Sequence, residues 1–326
     1  MKRSGSTGCS DARGVLRLCQ VLIRLRPRAS ALWLRVQRPV RWALIVLVIA
    51  MLAQALAATS WREVAQNLPV SPWFYLIFVI NYFAMPLSEA LIYRFLWNTG
   101  MGIVPALLRK RVYNEAVLDY SGEPVLFAWA RQFTSKTDGE LLSDVRDVNV
   151  LSALTGNLVT CFILVAVILT QADKLDVGDT AMLRRGALLT GGGVLVMLAL
   201  AAVFRKWLLA LTLRQCAVVG GLHTLRLISF VVLQAWQWHV AVPGIGWATW
   251  SIFTALQMAV SRLPLLPAKD LFFAGLAMHL GARLGLAPAV IDGLFVVSGG
   301  LNLVAHAAMY ALGLGLAPKE PGPPAG

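Results

Sequence analysis

Long apolar runs separated by short charged stretches constrain this chain more than any motif in it. Ala43–Thr59 reads ALIVLVIAMLAQALAAT, and Trp73–Trp97 reads WFYLIFVINYFAMPLSEALIYRFLW. Further runs cover about 150–170, 186–204, 225–242, 247–260 and 289–312. A bilayer core offers backbone N–H and C=O groups no water, so unbroken runs of this kind cross it as helices. Each crossing needs roughly 20 apolar residues. Of the 326 residues, 58% are hydrophobic and 14% charged, whereas a soluble domain carries about 25% charged residues. The pattern predicts an all-α, polytopic helical membrane protein. It has seven or eight transmembrane helices and two short re-entrant or interfacial helical segments.

The net charge is +13 and is concentrated at the start. Ten Lys and Arg residues from Lys2 to Arg41 precede the first apolar run, opposed only by Asp11. Basic residues directly before a span follow the positive-inside rule and attract anionic lipid, which favours a membrane role over nucleic-acid binding. Three parts are expected: a basic cytoplasmic arm over 1–42, a membrane domain over 43–312 and a Pro/Gly-rich disordered tail over 313–326. AQALAA at the end of the first run imitates a signal-peptidase site. However, a signal peptide totals about 15–30 residues, and more than forty precede this core, so the run reads as an uncleaved anchor. The expected location is the cytoplasmic (inner) membrane, with the N-terminus inside. Cys9, Cys19, Cys161 and Cys216 are scattered, giving no metal ligand set and no disulfide framework. No cofactor motif is present.

Two segments break the apolar pattern. NEAVLDYSGEPVLFAWARQ, Asn114–Gln132, carries acids, a Ser-Gly pair and a proline inside an apolar frame. SRLPLLPAKDLFFAGLAMHLGARLG follows the run at 247–260, and its apolar part, 271–284, extends only about 21 Å. Non-helical backbone at membrane depth survives where protein or a water-filled cavity surrounds it. Paired broken segments in the two halves of a chain therefore point to a transport site. Loop charges place both segments on the cytoplasmic side.

The order of these elements resembles the flippase-like integral membrane family that includes the transmembrane region of lysylphosphatidylglycerol synthases. The counterparts of its first motif are Tyr93-Arg94-Phe95-Leu96-Trp97 and Asp119-Tyr120-Ser121-Gly122-Glu123. The counterpart of its proline-flanked second motif is Leu263-Pro264-Leu265-Leu266-Pro267-Ala268-Lys269-Asp270-Leu271. This chain departs from the family at the glycines of the second motif, replaced by Ala268, Lys269 and Asp270, and lacks the proline that opens the first. The resemblance implies movement of a lipid or lipid-linked molecule between leaflets, with membrane lipids, anionic or lipid-linked, as partners.

The residues themselves supply candidate chemistry. Asp119 and Glu123, four apart, share a helix face, and two close carboxylates in a low-dielectric site resist double ionisation. Such a pair can hold a proton or bind a cationic head group. Gly122 allows close backbone approach, and Pro124 removes a donor, which fits a bend with Glu123 at its tip. The alternative is an interfacial helix with solvated acids. Lys269, with Arg262 nearby, would meet a lipid phosphate at a helix N-terminus, or the two are ordinary positive-inside charges. Glu89, Arg94, Asn302 and His306 are cavity candidates: Glu89 because a charge at membrane depth is costly, and Asn302 with His306 because they share a face. Arg94 can instead snorkel to the head groups, and the Asn302–His306 pair can serve helix packing.

Translocation of a lipid or lipid-linked molecule is the leading functional expectation. A non-transporting accessory or scaffold of an envelope-lipid or polysaccharide synthesis complex, with envelope-biosynthesis proteins as partners, is the rival. An intramembrane enzyme is the third. Ser298 and His306 share one span, and the serine lacks its usual glycine context, which argues against a serine protease.

Overall fold

The computed structural model describes residues 62, 66, 68–117, 120–174, 180–203, 205–263 and 269–315. The basic arm, the first apolar run Ala43–Thr59, Asp119 and residues 264–268 lie outside them. Among the described residues the fold is all-helical. Five helices are long and apolar enough to cross a membrane, and the chain is a multi-pass membrane protein.

Helix α1, Pro72–Trp97, opens with proline in its first turn, where no intrahelical partner is lost. It ends at Asn98 in the left-handed conformation. Two short helices follow, α2 (Val104–Val112) and α3 (Glu123–Phe133), joined through a π-turn at Tyr113–Val117. Helix α4, Asp138–Gln171, begins in a capping box in which Thr137 and Glu140 satisfy each other's backbone N–H groups. The charged stretch 138–147 therefore forms the first turns of a long helix. Helix α5 spans Thr180–Val203, and α6 spans Leu213–Ala241, the latter opened by a second capping box at Thr212 and Gln215. Helices α7 (Trp247–Ser261) and α8 (Lys269–Arg283) have 15 residues each, or about 22 Å. Neither is among the five spanning helices. Helix α9 runs Pro288–Gly315, into the stretch read as tail.

The element order repeats: a spanning helix, a hairpin of two short helices, then a spanning helix. The first half is α1, α2–α3 and α4; the second, after α5, is α6, α7–α8 and α9. The packing repeats as well. Helices α1 and α6 lie against each other, α2 packs on α9, and α7 packs on α4. Each hairpin thus leans on the second spanning helix of the other half.

The halves are inverted. On α1 and α6, Asn81 bonds Gln234 while Glu89 faces the charge of Arg226, so the two helices run antiparallel. The hairpins that follow them therefore approach from opposite ends.

Candidate functional site

Between the halves lies a cavity of about 900 Å³. One face of α6 forms a wall, with Arg226, Phe230, Gln234 and Gln237 lining it at helical spacing. Trp238 continues that wall, stacked on Phe273 of α8 and edge-on to Phe295 of α9.

The first hairpin brings a buried charge cluster. Lys110, 2% exposed, donates to Glu89 Oε2 at 3.0 Å and lies 3.7 Å from Glu123 Oε1. Burial would push the Lys110 ammonium toward neutrality, but Glu89 first, then Tyr93 and Glu123, outweigh it and hold the group above the usual lysine range. Glu123 Oε1 also accepts from Asn114 Nδ2 (3.4 Å) and Asn149 Nδ2 (3.3 Å). The Gly122 N–H donates to Asn114 Oδ1 at 2.6 Å. A Cβ on Gly122 would collide with the Lys110 backbone, so glycine is what lets the tip close against α2.

A second cluster joins the same hairpin to α9. Glu115 pairs with Arg111 (3.0 Å) and with His306 Nε2 (3.1 Å), and His306 Nδ1 shares a hydrogen bond with the Tyr82 hydroxyl at 2.8 Å. Arg111 lies over the Tyr82 ring, 3.9 Å from its centroid, and donates to the Tyr82 carbonyl. Burial alone would raise the Glu115 carboxyl, but Arg111 and His306 overcome it and settle it at about 2.

The second hairpin contributes from the opposite side. Lys269 donates to the Ser261 carbonyl at 3.3 Å, and Asp270 accepts from Asn302 Nδ2 at 2.9 Å. Burial first, and then the negative charge of Glu115, push Asp270 up to about 6 against His306, Arg111 and Lys269. Arg262 ends α7 and rests against α4 at Gly156, where a Cβ would meet its guanidinium.

Glu89, Glu123, Arg262, Lys269, Asn302 and His306 all line this one cavity. Gly122 shapes it through backbone contact. Arg94 is exposed and is not in the lining. Asp119 lies outside the described residues.

Sequence reasoning passed over Lys110, Arg111, Glu115, Asn149, Asp270 and Arg226. Lys110 and Arg111 sit in a basic triplet that reads as a cytoplasmic flank. A signal for Arg226 did exist: an arginine at the head of an apolar run, with Gln234 and Gln237 following on its face.

Among the described residues, no group of His, Cys, Asp and Glu is placed to hold a metal ion. The fold and the site define a multi-pass helical membrane protein built of two inverted halves around a charged internal cavity. The chain matches no family model, no curated protein and no solved structure.

Proposed function

We propose that the protein moves an amphiphile with a charged head group between membrane leaflets. The observation that carries this reading is the cavity itself. It is charged, it is enclosed by apolar helices, and it is lined by both hairpins from opposite ends. Buried charges are costly unless they are paired or put to use, and inverted halves meeting at a central site suit alternating access.

A second, largely apolar cavity of about 660 Å³ lies between α4 and α5 and shares Asn157 and Arg262 with the first. An acyl chain in this groove would leave its head beside Arg262. The order of elements, similar to that of the flippase-like family, belongs to the same reading.

The topology attached to it counts the first apolar run with the five spanning helices and treats α2–α3 and α7–α8 as re-entrant hairpins. If α7 and α8 each cross, the number rises to eight. With the basic arm in the cytoplasm of an inner membrane, Arg205–Lys206 also fall inside, as the positive-inside rule requires.

A leaflet-exchange assay with labelled lipids in reconstituted vesicles tests the proposal. Exchange should be faster with the wild type than in protein-free vesicles, and Glu123→Gln should slow it. Equal rates with and without protein across anionic, zwitterionic and lipid-linked probes would sink it and favour a non-transporting accessory role.

A further inference from the structure

The cavity is unusual in its carboxamides as much as in its charges. Asn81, Gln234, Gln237 and Gln257 line it together with several further asparagines. A carboxamide presents a donor and an acceptor on one plane, which matches a hydroxyl, itself donor and acceptor. Three of these side chains form a directed relay. Asn81 Nδ2 donates to Gln234 Oε1 (3.4 Å), and Gln234 Nε2 donates to Gln237 Oε1 (3.1 Å). The relay leaves Asn81 Oδ1 without a partner at its start and Gln237 Nε2 without one at its end. These residues are 8% and 1% exposed. Gln257 Oε1 is a third such buried atom. Buried polar atoms are almost always hydrogen-bonded, so three orphans around one cavity point to a ligand that brings its own donors and acceptors.

The opposite end of the α1–α6 pair is charged. Arg226 lies two helical turns before Gln234, about 12 Å along the axis. Its Nη1 is buried without a hydrogen-bond partner, and the carboxylate it faces, Glu89, is already bonded to Lys110. A guanidinium fork with a free N–H suits a phosphate oxygen.

We propose that the cavity binds a phosphopolyol head group: a phosphate ester toward Arg226, with a hydroxyl-rich group reaching the Asn81–Gln234–Gln237 relay. This rests on reading the cavity as the head-group site of the translocated amphiphile, and it names the chemical class of that head. Arg226 and Gln237 are about 16 Å apart along the helix axis, and with their side chains reaching toward each other the remaining gap suits a phosphate followed by a polyhydroxylated ring better than a bare phosphate or a choline ester.

Equilibrium binding of short-chain lipids to the full chain tests this, in a polyoxyethylene detergent that carries no sugar to compete. The probes are dioctanoyl phosphatidylinositol, phosphatidylglycerol, phosphatidic acid and phosphatidylcholine, with inositol 1-phosphate as the soluble counterpart. Affinity should fall in the order inositol, glycerol, bare phosphate, with phosphatidylinositol about tenfold tighter than phosphatidic acid, as one or two added hydrogen bonds allow. Gln237→Leu should bring phosphatidylinositol down to the level of phosphatidic acid. Arg226→Gln should weaken both by the same factor.

Equal wild-type affinity for phosphatidylinositol and phosphatidic acid overturns the proposal whether or not any variant folds. So does a folded Gln237→Leu that keeps the preference. Inositol 1-phosphate binding as tightly as the lipid would move the same chemistry to a soluble ligand and overturn the lipid assignment. The hydroxyl preference without leaflet exchange would sink translocation alone. Exchange without that preference would sink this proposal alone.

Discussion

In the first hairpin the tip lysine, Lys110, is almost fully buried between Glu89 and Glu123. In the second, Lys269 is half-buried and donates to a carbonyl of its own hairpin. Gly122 of the first tip presses on backbone, whereas Arg262 of the second rests on Gly156 through the end of a flexible side chain. The two hairpins occupy equivalent places in inverted halves, yet among the described residues the first shows a buried lysine between two carboxylates and a backbone contact at Gly122 that have no counterpart in the second. Inverted halves with identical fastening would have no reason to favour one side of the membrane. Unequal fastening makes the second hairpin the one expected to yield first.

The strongest test of that contrast is removal of each lysine. Lys110→Met leaves two buried carboxylates facing each other without their cation, and breaking a buried pair from one side costs about 3–5 kcal/mol. Thermal denaturation in detergent should show a large loss of stability, partly restored by adding Glu89→Gln. Lys269→Met, at a half-buried site where solvent screens the charge, should cost less. Similar losses for the two would erase the distinction.

Next in size are the glycines. Gly122→Ala forces backbone apart and should destabilise by about 1–3 kcal/mol, the usual range for overpacking. Gly156→Ala gains helix propensity of about 1 kcal/mol in the middle of α4 while displacing only the Arg262 guanidinium. Its melting temperature should hardly move, while leaflet exchange falls because Arg262 has left its place in the cavity. A Gly156→Ala variant as unstable as Gly122→Ala would show that the second tip is as tightly fixed as the first.

Much of this was legible in the chain. The spanning helices α1 and α9 match the apolar runs nearly end to end, and the Gly-Glu-Pro run marked the first tip because each residue has a local reason to be there. The second hairpin was harder to read. Trp247–Val260 is apolar, and periodicity does not separate a crossing from a 15-residue arm buried in protein. Trp250 and Phe253 are both fully buried, as either reading allows. Lys110 was hidden for a different cause: its two neighbours are also basic, and only the tertiary approach of α1 and α3 singles it out.

Carboxylates separate the two hairpins by pH. Glu115, in the first, sits at about 2, so its stabilising contribution is present above the ordinary glutamate range and is lost only as pH falls through 2. Asp270, in the second, is raised to about 6, so the folded state holds its proton more tightly than the unfolded chain does. Its contribution is complete below about 4 and is lost as pH rises through 6. Between pH 4.5 and 7, acidification should therefore stabilise the wild type relative to Asp270→Asn, and Glu115→Gln should shrink that gain, because the Glu115 charge helps to raise Asp270. Melting curves of the three proteins across that window check it, and a wild type that tracks Asp270→Asn throughout would remove the asymmetry.

The smallest effect belongs to Arg94, which the sequence grouped with the cavity and which lies exposed near the end of α1. An exposed arginine near a helix C-terminus interacts with the helix dipole and the solvent, an interaction of about 0.5 kcal/mol. Arg94→Gln should leave melting temperature, lipid binding and leaflet exchange close to those of the wild type, whereas Arg226→Gln should weaken binding of every phosphate-bearing probe. An Arg94→Gln defect in exchange with normal stability would mean that the substrate meets α1 at its exposed end before it reaches Glu89. The path into the cavity would then begin outside its present lining.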